Sequence, residues 1–369
     1  LHFKKLMDFD TIGGKSNKNG ARFDLDAMYV NWLGLSLKCY LPKSENSLSY
    51  VWESLKGKIS YCNIKRLMFS SGWRYYAEIV VSGAAPTRVL IGTSTMGIDP
   101  GVSTIAGVSE DACVLEELAP NAIRYEKKIQ KISQSMDRSR RISNPNKYNE
   151  DGTINRSNRD PWKYSKNYVK MCRLLKSLYR KKHAYIVDSH RKLCNKLITI
   201  AKYFPVEKMH FQALQKRAKE TKRQEKKTEV KQKDGTVKVI QKYKRKKRFG
   251  RSINRRAPAR FLLELKRKAE AVGGVYAEVD TKEFKASQYN HVTDTYEKIP
   301  LSQREKEIGK RKVQRDLYSA FLIRNADLDF KHPDREKCEY EFEYFADMQD
   351  QLILKMKESG LSMRQCFGF

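Results

Sequence analysis

Cysteine is present but never paired. Cys39, Cys62, Cys113, Cys172, Cys194, Cys338 and Cys366 include no C-x-x-C. That scatter excludes a Cys-rich structural zinc site and a disulfide framework; an odd, unpaired set reads as reduced thiols of a cytosolic protein. Long apolar runs are also missing. The longest are strand-sized, so neither a signal peptide nor a transmembrane helix is expected, and no lipidation motif marks a membrane anchor. Acidic residues are scarce relative to bases: 43 Asp plus Glu face 75 Lys plus Arg among 369 residues, a formal charge of +32. Such an excess repels itself unless a polyanion neutralises it, and nucleic acid is the default polyanion. The chain opens on Leu1 and not on Met, so N-terminal truncation is an expectation.

What is present divides the chain. Residues 1–92 are rich in β signals. "RFDLDAMYV" alternates Phe23, Leu25, Ala27 and Tyr29 with polar or small neighbours, and "YCNIKRLMF" and "WRYYAEIVV" flank a hairpin turn at Ser70-Ser71-Gly72. A barrel-like domain follows from these. Lys65, Arg66, Trp73, Arg74 and Tyr75 are its candidate stacking and phosphate contacts. The competing role for any single aromatic is filling the barrel core.

Residues 93–330 read as a second domain and 331–369 as a tail of little pattern. "MGIDPGVSTIAGV" and "ACVLEEL" predict strands, and helices are expected over 119–203, broken by a turn-rich loop. Residues 215–256 hold 19 Lys or Arg against 4 acids and read as a flexible basic insertion. Lys216, Arg217, Lys244, Arg245, Lys246, Lys247 and Arg248 are its candidate phosphate contacts. A nuclear localisation signal is the alternative, disfavoured because the excess spreads across the helices too. An amphipathic helix follows Pro258, with Phe261, Leu262, Leu265, Ala269 and Val272 on one face, and "VYAEVD" predicts a half-buried strand. Ser302 and Glu305 fit a capping box, and a further helix is expected over 311–326.

Three acids sit where the pattern predicts apolar residues, at a cost unless they are paired, hydrogen-bonded or bound to metal. Asp99 ends an apolar strand, Glu207 lies in "FPVEKMHF", and Asp316 lies in "VQRDLYSAFLI", a helix whose small Ser319 and Ala320 permit close packing on a sheet. Convergent carboxylates suit two Mg²⁺ ions flanking a scissile phosphate, one activating water and the other stabilising the leaving oxygen. Each acid also has an ordinary role open to it. Asp99 can cap the Pro100-Gly101 turn, Glu207 can pair with Lys202 or Lys208, and Asp316 can pair with Arg315 or Lys312.

These residues carry a resemblance. "GIDPGVSTIAGV" resembles the first RuvC motif of the TnpB family, proteins of insertion sequences related to type V CRISPR effectors. "VEKMHFQAL", with Glu207, Met209 and Leu214, is similar to the second motif, and "QRDLYSAFLI" to the third, which places its aspartate at Asp316. The resemblance covers about residues 55–326, with the basic insertion, the helix after Pro258 and the strand ending at Asp280 in the family's order. It implies an α/β fold: an RNase H-like (RuvC) nuclease domain with helical and basic insertions, preceded by a β-barrel-like wedge domain that grips a guide RNA. It also implies an RNA-guided, Mg²⁺-dependent DNA endonuclease with Asp99, Glu207 and Asp316 as catalytic metal ligands. Guide RNA and target DNA would be its partners, and a prokaryotic cytoplasm, at the nucleoid when bound to DNA, its location.

Two departures stand out. "KASQ", residues 285–288, leads in many relatives into a zinc ribbon, but no cysteine follows it before Asp316. No zinc is therefore expected in the remnant over 286–312, and His291 is expected to be a surface or packing residue. Residues 1–54 are also short for the family's helical recognition insert. The alternatives to guided cleavage are a guided DNA-binding protein without nuclease activity and, less favoured because no helix-turn-helix is evident, a DNA transposase.

Overall fold

The computed structural model describes residues 9–86, 89–150, 152–215, 223–231, 235–243, 249–300 and 302–362. They fall into two compact units, Leu1–Arg88 with Asn121–Asp188, and Val89–Pro120 with Ser189–Phe369. Residues 121–188 thus belong with the N-terminal β region and not with the second unit.

The first unit contains β1 (Thr11–Gly13), β2 (Arg22–Asp24), β3 (Tyr29–Trp32), β4 (Leu35–Lys38), α1 (Glu45–Leu55), β5 (Ile59–Phe69) and β6 (Gly72–Val81). α2 (Ala122–Ser143) and the part of α3 (Lys166–Ile200) up to Asp188 complete it. Its described strands bond as two three-stranded sheets, β1-β5-β6 and β2-β3-β4, where a barrel-like domain was expected. Phe23, Val30, Leu55 and Cys62 form their core. The β5–β6 hairpin matches its sequence signal, with Phe69 opposite Gly72. "RFDLDAMYV" does not make one strand. Asp24 Oδ1 accepts from the Ala27 amide at 3.0 Å and Met28 takes a φ of 57°, which folds the run into the β2–β3 turn.

The second unit is built on β7 (Ser94–Thr95), β8 (Gly97–Pro100), β9 (Thr104–Val108), β10 (Cys113–Glu117) and β11 (Ala201–Glu207). After α4 (Phe211–Gln215) come β12 (Arg223–Lys231), β13 (Val237–Tyr243), α5 (Gly250–Arg256), α6 (Pro258–Ala271) and β14 (Val275–Val279). α7 (Thr281–Phe284), β15 (Tyr289–Asn290), β16 (Thr295–Tyr296), β17 (Glu305–Ile308) and β18 (Arg311–Gln314) precede α8 (Arg315–Arg324) and α9 (Arg335–Glu358). The main sheet runs β10-β9-β8-β11-β14, with β7 also beside β11. It is mixed: β10, β9 and β8 pair antiparallel, and β8, β11 and β14 pair parallel.

Apolar clusters cover both faces of this sheet. Ile98, Ile105, Phe204 and Val206 pack with Leu197 of α3 and with Phe261 and Leu265 of α6. Ala106, Val108, Leu115 and Val279 pack with α8 and with Phe342 and Phe345 of α9. Consecutive residues such as Ile105 and Ala106 enter opposite clusters, as a strand's period of two requires. No helix among the described residues is long and apolar enough to cross a membrane.

Four sequence expectations change here. The helix expected to run to residue 203 ends at Ile200, and Ala201–Glu207 is a strand. The basic segment, expected to be flexible, holds an antiparallel hairpin, β12–β13, in its described residues. Ser302 and Glu305 cap no helix; Glu305 opens β17, which pairs with β18 across Gly309 at a φ of 59°. The expected helix over 311–326 therefore starts only at Arg315, where the Gln314 side chain accepts from the Leu317 amide at 2.7 Å. Within the region read as a tail, α9 buries Cys338, Phe342, Phe345, Ala346, Gln349 and Ile353.

Candidate functional site: a carboxylate cluster on the mixed sheet

The pleat decides which side chains meet. Ile98 and Val206 lie side by side in the β8–β11 register and both enter the cluster on the α6 side. Gly97 and Asp99 on β8, and Pro205 and Glu207 on β11, therefore point to the other face, where α8 lies. Gly97 sets how closely α8 approaches. A Cβ there would stand 2.2 Å from the Ala320 carbonyl oxygen and 2.3 Å from the Arg324 nitrogen. Ser319 and Ala320, buried at the contact, serve the same approach. Asp316, in the first turn of α8, comes within electrostatic reach of Asp99 and Glu207. Acids separated by more than a hundred residues each thus meet at the C-terminal ends of two neighbouring parallel strands.

Of the ordinary roles open to these acids, two are not taken. Asp99 lies inside β8 opposite Ala106, and the turn is closed by the Gly101 amide bonding the Thr104 carbonyl at 2.9 Å. Lys208 pairs with Glu278 at 3.1 Å and not with Glu207. The third is taken. Asp316 Oδ1 accepts from Arg315 Nη2 at 3.0 Å and from Nε at 3.2 Å. Its Oδ2 faces Arg304 Nη1 at 3.5 Å and Gln314 Nε2 at 3.4 Å.

The electrostatics follow from this crowding. Burial first, then the negative charges of Glu207 and Asp316 and a hydrogen bond shared with Glu207, hold the Asp99 carboxyl well above the ordinary range; Arg315 opposes the shift. Burial and Asp316 also push Glu207 up. Asp99 and Glu207 thus share a hydrogen bond, with both carboxyls held above their ordinary range. By donor type alone, three carboxylates are the oxygen ligands that hard divalent cations take. Asp316 is the member turned elsewhere. Among the described residues no group of three or more His, Cys, Asp or Glu is arranged to hold a metal ion as placed.

The other candidate residues separate into two sets. Arg66 bonds Asp10 at 3.0 Å and lies over the Trp73 ring at 4.4 Å, with Lys176 4.4 Å from the same ring. Arg66 and Trp73 are therefore engaged within the first unit. Arg74 stacks over Phe69 at 4.6 Å, Lys65 pairs with Glu78 at 3.6 Å, and Tyr75 is 68% exposed. Lys216, Arg217, Lys244, Arg245, Lys246, Lys247 and Arg248 lie outside the described residues. His291 is buried, its Nδ1 2.8 Å from the Tyr318 hydroxyl and its ring 4.7 Å from Phe342, so of the two expected roles it takes packing.

Sequence reading missed Arg304, Gln314 and Gly97. Arg304 is one base among many, and only the β17–β18 turn returns it to Asp316. Gly97 precedes the apolar Ile98 of the first motif, and a residue without a side chain beside a metal-ligand candidate was the available signal.

No protein-family profile and no curated protein matches the chain. Among solved structures it is similar to the protein of a Cas12f1–sgRNA–target DNA complex, at 12% identity and a TM-score of 0.45 over 77% of this chain and 48% of that one. It is also similar to the protein of a CRISPR-Cas12f ternary complex, at 14% identity and a TM-score of 0.33 over 86% of this chain and 51% of that one. The chain spans about half the length of both.

Proposed function

We infer that this chain is a TnpB-like, RNA-guided DNA endonuclease that hydrolyses phosphodiester bonds with two Mg²⁺ ions. The observation that carries the reading is the meeting of Asp99, Glu207 and Asp316 on one face of the mixed sheet. These three carboxylates would hold the ions, and the second unit would be the RNase H-like domain. Bound there, the ions supply Lewis-acid activation of water and charge stabilisation of the leaving oxygen. The chain's own part is positional. β8 and β11 fix two carboxylates in register, and Gly97 brings the third to them on α8.

The charge of +32 supports polyanion partners. A guide RNA and a target DNA are proposed as the partners of this chain on its charge and motifs. A cytoplasmic location at the nucleoid follows from that proposal. The test is to purify the chain from its native locus and sequence the RNA that accompanies it. A discrete RNA is expected, and its absence contradicts guided recognition. A guided DNA-binding protein that does not cut is the second reading, favoured by one observation, the occupation of Asp316 by arginines.

A further inference from the structure

Asp316 is held by two arginines of different kinds. Arg315 is 10% exposed, donates twice to Oδ1, and spends Nη1 on the Gln303 carbonyl at 3.2 Å. Its guanidinium is fixed by the chain around it. Arg304 is 45% exposed and meets Oδ2 at 3.5 Å, near the limit of a useful contact. It also stands one residue outside the β17–β18 ladder, which begins at the pair Glu305–Gln314. Its side chain can therefore leave Asp316 without breaking a ladder bond. Its backbone carbonyl stays anchored by the Arg315 amide at 2.9 Å.

We propose that Arg304 is an exchangeable counter-ion of Asp316, and that a nucleic-acid phosphate withdraws it, leaving Oδ2 with only the neutral Gln314 amide beside it and open to a divalent cation. The proposal rests on the reading of Asp316 as a metal ligand and adds a regulation of that site. The physics is competition. A carboxylate oxygen facing a guanidinium gives a cation less, and a phosphate offers Arg304 a doubly hydrogen-bonded, charge-assisted partner in exchange. Linkage then makes the coupling reciprocal: nucleic acid tightens cation binding, and the cation tightens nucleic-acid binding by the same factor. Arg315 remains on Oδ1 and acts as a positioning residue that holds the carboxylate in one orientation while Oδ2 changes partner.

The test is Mn²⁺ binding to the intact chain, read by electron paramagnetic resonance without turnover. It is made with and without a single-stranded DNA of phosphorothioate backbone. Without DNA, Arg304→Ala tightens Mn²⁺ by about two- to fivefold, the scale of one exposed ion pair. Lys312→Ala, the same loss of charge at an exposed residue of β18, leaves affinity unchanged. DNA tightens Mn²⁺ for the wild type and does so less for Arg304→Ala. Unchanged affinity in Arg304→Ala, an equal rise in Lys312→Ala, or no effect of DNA on the wild type overturns the proposal. Failure of the underlying reading is separable, because Asp316→Asn would then bind Mn²⁺ as the wild type does.

Discussion

Asp99 and Glu207 share a face because Ile98 and Val206 are neighbours in register, and burial beside other acids holds both carboxyls above their ordinary range. Replacing either carboxyl by its amide removes one proposed metal ligand without opening a core. Asp99→Asn and Glu207→Gln are expected to lower cleavage by about 10³-fold while leaving nucleic-acid binding nearly intact, measured on one labelled DNA by cleavage and gel shift. The two buried histidines make a different prediction. His190 packs edge-on against Phe261 and His291 lies under Tyr318, and burial holds both imidazoles down to about 4. An unfolded histidine titrates near 6.5, so between these values the unfolded chain binds more protons than the folded one. Their contribution is full above pH ~6.5 and is lost as pH falls towards ~4, by roughly 1–3 kcal/mol each. Denaturant unfolding at about pH 7.5 and about pH 4.5 should show a smaller acid loss for His291→Gln than for wild type; equal losses would place the effect elsewhere.

At the scale of elements, α8 is the part on which the site depends. It is buried nearly all round, from Leu317 to Arg324, so its position is set by packing and not by one apolar stripe. Gly97→Ala forces it off β8 and is expected to cost about 1–3 kcal/mol and to abolish cleavage. Thermal unfolding checks the first effect and a DNA-cutting assay the second. The strands of the main sheet were legible because "GIDPGVSTIAGV" and "VYAEVD" carry their own periodicity. The start of α8 was not. Val313 and Leu317 fit a helical repeat, and only the pairing of β17 with β18 claims residues 311–314 as strand. α9 was hidden by its outer face. Cys338, Phe342, Phe345, Gln349 and Ile353 recur at helical spacing, but the exposed Tyr340 and Tyr344 blur the stripe. The three acids stood out in the sequence because each interrupts an apolar run. The arginine contacts on Asp316 depend on the tertiary fold, and the sequence supplied only the neighbouring Arg315.

For the whole molecule the dominant quantity is the charge of +32. Binding to nucleic acid should weaken steeply with salt, because each phosphate neutralised by the protein releases counterions. Deleting residues 222–247 should weaken binding and flatten the slope of log affinity against log salt by about one for each phosphate no longer held. An unchanged slope in filter binding would place that segment away from the interface. The most direct measurement is single-turnover cleavage, with Mg²⁺, of a duplex matched to the RNA that purifies with the chain. The intact chain should cut this duplex and not a mismatched one, and Glu207→Gln should bind it but cut more slowly by about 10³-fold. Cutting by Glu207→Gln at the rate of the intact chain would contradict the proposed metal-ligand role of Glu207.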